Sequence, residues 1–159
     1  MKILDKNITE SDTTFITLEE LTNPWQLLVY AKRITQEYPI SIGAYIIVGN
    51  THTLRKEYVQ AVSAYKTALD LSPFNCVLHY KLALLLWRYS SNIEGALEHF
   101  KMAVYLKPDE AKFVYSYAEA LLLVGKLEDA LFFAKAAVAL DPENIAYKDL
   151  VYNLLITSQ

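Results

Sequence analysis

The sequence predicts an all-α fold, an α-solenoid of antiparallel helix pairs. Three observations carry that prediction. Phrases ending in proline recur, LDLSP, VYLKP and VALDP, and place Pro73, Pro108 and Pro142 35 and 34 residues apart. Small residues keep the same step in three series: Gly49, Ala83 and Ala118; Ala61, Ala96 and Ala130; Ala68, Ala103 and Ala137. Four glycines and five prolines are few for a chain of 159 residues that is 53% hydrophobic, as helices with short connections require. Small residues let paired helices approach closely, and a proline cannot continue the second helix of a pair.

The elements follow in order. Residues 1–15 offer no clear pattern and are expected to be flexible. Residues 16–41 read as N-terminal helices forming a degenerate half-repeat. Thr17-Leu-Glu-Glu20 has the form of a capping box, and Pro24 suits a first helical position. The helix from Pro24 is expected to run to Tyr38, and Pro39 stands 34 residues before Pro73. The first full repeat is 42–75, the second 76–110 and the third 111–144. One extra residue separates Ala83 from Ala96, which places an insertion in the turn Arg88–Asn92. Residues 145–159 read as a capping helix with a stripe of Ala146, Leu150, Val151, Leu154 and Leu155. The uninterrupted apolar run Leu82–Trp87 is expected in the middle of the array, with helices on several sides.

This pattern resembles the tetratricopeptide-repeat family, whose 34-residue unit has such small and large positions. The third repeat carries Ala118, Leu121, Gly125, Leu127, Ala130, Ala137 and Pro142 in the expected places. The first carries Tyr45, Val48, Gly49, Tyr58, Ala61, Tyr65, Ala68 and Pro73. The second carries Leu82, Ala83, Leu86, Ala96, Phe100, Ala103 and Pro108. His52 and Ala134 depart from the pattern, standing where large aromatic residues are usual. The resemblance implies a right-handed superhelix whose first helices line a concave groove. Carried over by position, the groove residues are Ile46, Ile47, Asn50 and Leu54 in the first repeat. They are Tyr80, Lys81, Leu84, Trp87 and Arg88 in the second, and Lys112, Tyr115, Ser116, Glu119, Leu122 and Leu123 in the third. Some members clamp the C-terminal carboxylate of chaperones with five polar or basic side chains. Asn50 and Lys112 match that clamp, whereas Ile46, Lys81 and Ser116 depart from it. The groove therefore reads as apolar and aromatic with a few charges.

Other chemistries find little support. A net charge of −3 with no basic stripe argues against nucleic-acid binding. No segment supplies the ~20 apolar residues of a membrane helix, and the N-terminus lacks the apolar run of a signal peptide. Cys76 is the single cysteine, and no basic neighbour in sequence would activate it. His52, His79 and His99 lack metal-ligand spacing, and His52 is expected on a packing face. The glycines form no phosphate-binding loop, and Glu128-Asp129 complements a helix N-terminus. Neither cofactor nor metal nor enzymatic activity is expected.

The expectation is thus a cytoplasmic, non-enzymatic interaction module, an adaptor, scaffold or chaperone holding a protein or peptide segment in its groove. Two alternatives stay open. The layout also resembles bacterial type III secretion chaperones, which hold translocator proteins through hydrophobic anchors. Alternatively, the chain is a structural subunit or homodimer whose groove is permanently covered, by a second copy or by its own N-terminal segment.

Overall fold

The computed structural model describes residues 24–157, which form eight helices and no strand. These are α1 (Pro24–Glu37), α2 (Ile42–Leu54), α3 (Tyr58–Leu71), α4 (Cys76–Tyr89), α5 (Ile93–Leu106), α6 (Ala111–Leu123), α7 (Leu127–Leu140) and α8 (Ile145–Thr157). The expectations for residues 1–15 and for the Thr17–Glu20 capping box lie outside the described residues.

Local chemistry sets the helix starts. Pro24 opens α1, and Ser41 caps α2 by accepting a hydrogen bond from the Ala44 N–H. Asn75 and Asn92 cap α4 and α5 in the same way, from Leu78 and Gly95 at 3.0 and 2.9 Å. Each cap satisfies a backbone donor that the helix leaves unpaired and is worth about 1 kcal/mol. At the other ends, Ser72, Lys107 and Asp141 each donate to a carbonyl four residues back. The following residue is Pro73, Pro108 or Pro142, so no helix continues.

The turns inside the helix pairs share one conformation. Lys56, Ser91 and Gly125 all have positive φ, 60°, 49° and 75°, one per pair and one period apart. The next residue, Glu57 or Lys126, donates five positions back, to His52 or Leu121. In the second pair Asn92 reaches six positions back to Leu86. The extra residue of the second period is accommodated in that turn.

The chain divides after Pro73 into two compact units. In the first, α2 packs on α1 and α3. Leu28 and Ala31 meet Val48 and Ala64, with Ile47 against them. Gly49 lies under the Tyr65 ring so closely that an added Cβ would fall 2.6 Å from Tyr65 Cδ1. In the second unit α4 pairs with α5 and α6 with α7, while α5–α6 and α7–α8 contacts join them. The two all-alanine series sit against neighbouring helices: Ala61, Ala96, Ala130, Ala68, Ala103 and Ala137 are all fully buried.

The apolar run of α4 is covered as expected on most sides. Leu82, Ala83, Leu85 and Leu86 are buried, and Leu84 and Trp87 half-buried. The stripe of α8 is rotated from the sequence expectation. Tyr147, Leu150 and Leu154 face the core with Val151 beside them, whereas Ala146 and Leu155 are exposed. The 34-residue period explains the correction, because it aligns Tyr147 with the buried Phe113 rather than Ala146.

Candidate functional site

In the unit ending at Pro73, α2 carries four of the expected groove residues. Ile46 is half-buried and Leu54 is exposed. Ile47 packs against the α1–α2–α3 core, and Asn50 accepts a 2.7 Å hydrogen bond from the Tyr65 hydroxyl. Two of the four are thus engaged in holding the unit together. His52 is buried, and its Nδ1 lies 2.6 Å from Glu57 Oε2, beside an Arg55–Glu57 ion pair. The Arg55 guanidinium covers the Trp25 ring at 3.4 Å, tying α1 to the end of α2.

In the unit beginning at Phe74, α4, α6 and α8 bring the remaining expected residues together around a set of aromatic rings. Tyr80 is buried and stacks on Phe113 at 4.7 Å between ring centres. Its hydroxyl stands 3.3 Å from the buried Ser116 Oγ. Lys112 lies over the outer face of the Tyr80 ring, its Nζ 5.0 Å from the centroid. Tyr80 and Ser116 therefore form the floor of this surface, and Lys112 stands above it.

Lys81 belongs to the same neighbourhood. Burial, and then the positive charge of Lys112, push the Lys81 ammonium below the ordinary lysine range. Lys81 is half-buried on α4, and Lys112 on α6 is exposed. Arg88 is exposed at the end of α4, 5.7 Å from the Trp87 ring centre. Trp87 in turn meets the fully buried Phe100 edge-on at 5.8 Å. The indole is therefore partly core, and Leu84, like Trp87, is half-buried.

On α6, Tyr115 donates a 2.9 Å hydrogen bond to Glu119 and packs on Tyr147 of α8 at 4.6 Å. Burial and this acceptor hold the Tyr115 hydroxyl up at about 12. Burial also raises the Glu119 carboxyl, an effect opposed by the Tyr115 hydrogen bond and by the charge of Arg88. Leu122 is half-buried at the edge of the core, and Leu123 is exposed. Tyr147 escaped the sequence reading, which took the α8 stripe from its apolar pattern instead of from the repeat.

Two further features were not legible locally. His79 and His99 meet with their Nδ1 atoms 2.9 Å apart, so one ring donates and the other accepts. Lys107, just after α5, is raised above the ordinary lysine range, chiefly by its hydrogen bond to Glu110 and least by Cys76 at the start of α4. Among the described residues, no three His, Cys, Asp or Glu side chains are placed to hold a metal ion. No described helix is long and apolar enough to cross a membrane.

Helix pairs repeated at a 34-residue step, with small residues at each crossing, define the class. The chain has the fold of tetratricopeptide-repeat proteins, three helix pairs with flanking helices. The comparisons agree. The solved structure of YrrB, described as a tetratricopeptide-repeat protein with an unusual peptide-binding site, superposes with a TM-score of 0.80 at 19% identity. That match covers 93% of this chain and 75% of YrrB. The first repeat domain of Spaghetti (RPAP3), bound to the HSP90 peptide SRMEEVD, superposes with a TM-score of 0.65 at 20% identity, covering 83% and 93% of the two chains. In sequence, the Protein STIP1 homolog of Dictyostelium discoideum is 34% identical over 101 residues, 64% of this chain. The chain spans 18% and 16% of the length of the curated relatives it matches. No family model matches it.

Proposed function

We propose that this chain is a non-enzymatic protein-interaction module that binds an acidic segment of a partner across α4, α6 and α8. The observation that carries this reading is Lys112 standing 5.0 Å from the centre of the Tyr80 ring, with the half-buried Lys81 next to Tyr80 on α4. Lys112 over the Tyr80 ring and Lys81 one position along α4 give this surface positive charge beside aromatic and apolar groups, and a carboxylate on a partner complements it. Leu84 and the open edges of Trp87 and Leu122 offer apolar anchors beside that point, and Arg88 a third cation. An aromatic and basic surface of this kind suits hot-spot recognition.

The neighbours support the class of ligand. One is described with a peptide-binding site, and another holds SRMEEVD, whose tail carries three acidic residues. The mode proposed here differs from the five-residue carboxylate clamp, since Ile46 and Ser116 stand at two of its positions and Asn50 is held by Tyr65. A lysine pair replaces it.

Fluorescence anisotropy with labelled SRMEEVD and its carboxylate-free counterpart SRMQQVN-amide tests the proposal. The acidic peptide is expected to bind about tenfold more tightly, with an advantage that shrinks as salt rises. Lys81→Ala and Lys112→Ala should each remove most of it. Equal binding of the two peptides, or of wild type and both variants, would overturn the reading.

A further inference from the structure

The α7–α8 pair carries a second surface that the reading above does not use. Between α7 and α8 lies a cleft of about 330 Å³, lined by Lys135 and Val138 of α7 and by Lys148, Val151, Tyr152 and Leu155 of α8. The α8 residues are spaced at three and four, so they share one helix face. Tyr152 is 65% and Leu155 43% exposed, while the valines are half-buried.

The repeat shows what such a cleft holds. One period earlier, Tyr152 and Leu155 correspond to Ala118 and Leu121, which are 0% and 2% exposed. They are covered by α7, which sets Ala130 and Ala134 against them and the Phe133 ring 4.8 Å from Tyr117. The same surface is therefore a helix seat that is filled between α5 and α6. Charge narrows the occupant. Lys148 corresponds to Val114, a buried residue that meets Ala137 of α7 in the earlier copy of the seat. A cation thus replaces an apolar contact, and Lys135 adds a second. Neither lysine forms an ion pair among the described residues, and no acidic side chain lines the cleft.

We propose that the α7–α8 cleft receives an amphipathic helix of a partner protein, with apolar residues at i, i+3, i+4 and i+7 flanked by carboxylates that meet Lys135 and Lys148. The apolar stripe covers Val138, Val151, Tyr152 and Leu155, and the acidic flank passes the two ammonium groups. This is a different surface from the α4–α6–α8 face and takes a helix rather than a segment end.

The test uses the full chain and two labelled, helix-favouring peptides with the same leucine stripe, one flanked by glutamates and one by lysines. The glutamate peptide is expected to bind about tenfold more tightly. The double variant Lys135→Glu/Lys148→Glu should invert that order, and Tyr152→Asp should weaken both peptides about tenfold. The same comparison is made in the Lys81→Glu/Lys112→Glu background, where the other face is disabled and the glutamate peptide should still bind more tightly, which separates this cleft from that face. Circular dichroism melts confirm folding, and Leu155→Asp replaces Tyr152→Asp should the latter unfold. Equal binding of the two peptides, or a preference that follows Lys81 and Lys112, would overturn the proposal. So would a wild-type dimer by light scattering that Tyr152→Asp splits, because the occupant would then be a second copy.

Discussion

Gly49→Ala is the substitution most directly governed by the packing of a helix pair. In an isolated helix the change is favourable by about 1 kcal/mol, since alanine is the better helix former. Here the new Cβ would stand 2.6 Å from Tyr65 Cδ1 and 3.0 Å from Cζ, well inside ordinary van der Waals contact. Tyr65 is 2% exposed and cannot swing into solvent. Its ring must shift, or α3 must withdraw from α2, and the 2.7 Å bond from its hydroxyl to Asn50 is strained with it. Overpacking costs about 1–3 kcal/mol and loss of the hydrogen bond about 1 kcal/mol more. After the helix gain, a net loss of about 1–3 kcal/mol remains. Urea unfolding followed by circular dichroism measures it as a lower midpoint at unchanged slope. In a Tyr65→Ala background the same Gly49→Ala change should instead stabilise, by about 0.5–1 kcal/mol. A midpoint that rises in the native background would refute the reasoning.

Other outcomes follow from the turns and the site. Ser91→Gly should stabilise by about 0.5–1 kcal/mol and Gly125→Ala should destabilise by a similar amount, because both positions have positive φ; thermal melts read both. Trp87→Ala should cost about 1–2 kcal/mol of stability through lost contact with Phe100, whereas Leu84→Ala should affect peptide binding more than the melting temperature. Glu119→Gln keeps an acceptor for Tyr115 and removes a half-buried charge. The folded Glu119 carboxyl is raised above its unfolded value, so wild-type stability falls as pH rises from the unfolded to the folded value. The variant should therefore melt above wild type at pH 7, and the gap should close below the ordinary carboxylate range.

The period made the fold legible. Prolines and small residues report constraints that act where they stand, a helix end or a helix crossing, and Pro73, Pro108, Pro142 and the alanine series fell where expected. The turn at Arg88–Asn92 was legible for the same reason, since one extra residue broke an otherwise fixed step. The surface was harder to read. Which side of Trp87 is core depends on Phe100, 13 positions away on the next helix. That Asn50 serves Tyr65, and that Ser116 pairs with Tyr80, are likewise facts of tertiary contact. The His79–His99 contact joins residues 20 apart and has no local signature. Tyr147 could have been found by extending the period into α8, where Phe113 marks its place; reading α8 only as an amphipathic helix concealed it.

The proposed acidic-segment surface is tested most directly by amide chemical-shift mapping of the isotopically labelled full chain titrated with SRMEEVD. The account predicts saturable shifts concentrated at Lys81, Leu84, Arg88, Lys112, Tyr115 and Glu119, and their loss in Lys81→Glu/Lys112→Glu. Shifts that cluster elsewhere, or that persist unchanged in the double variant, would contradict it.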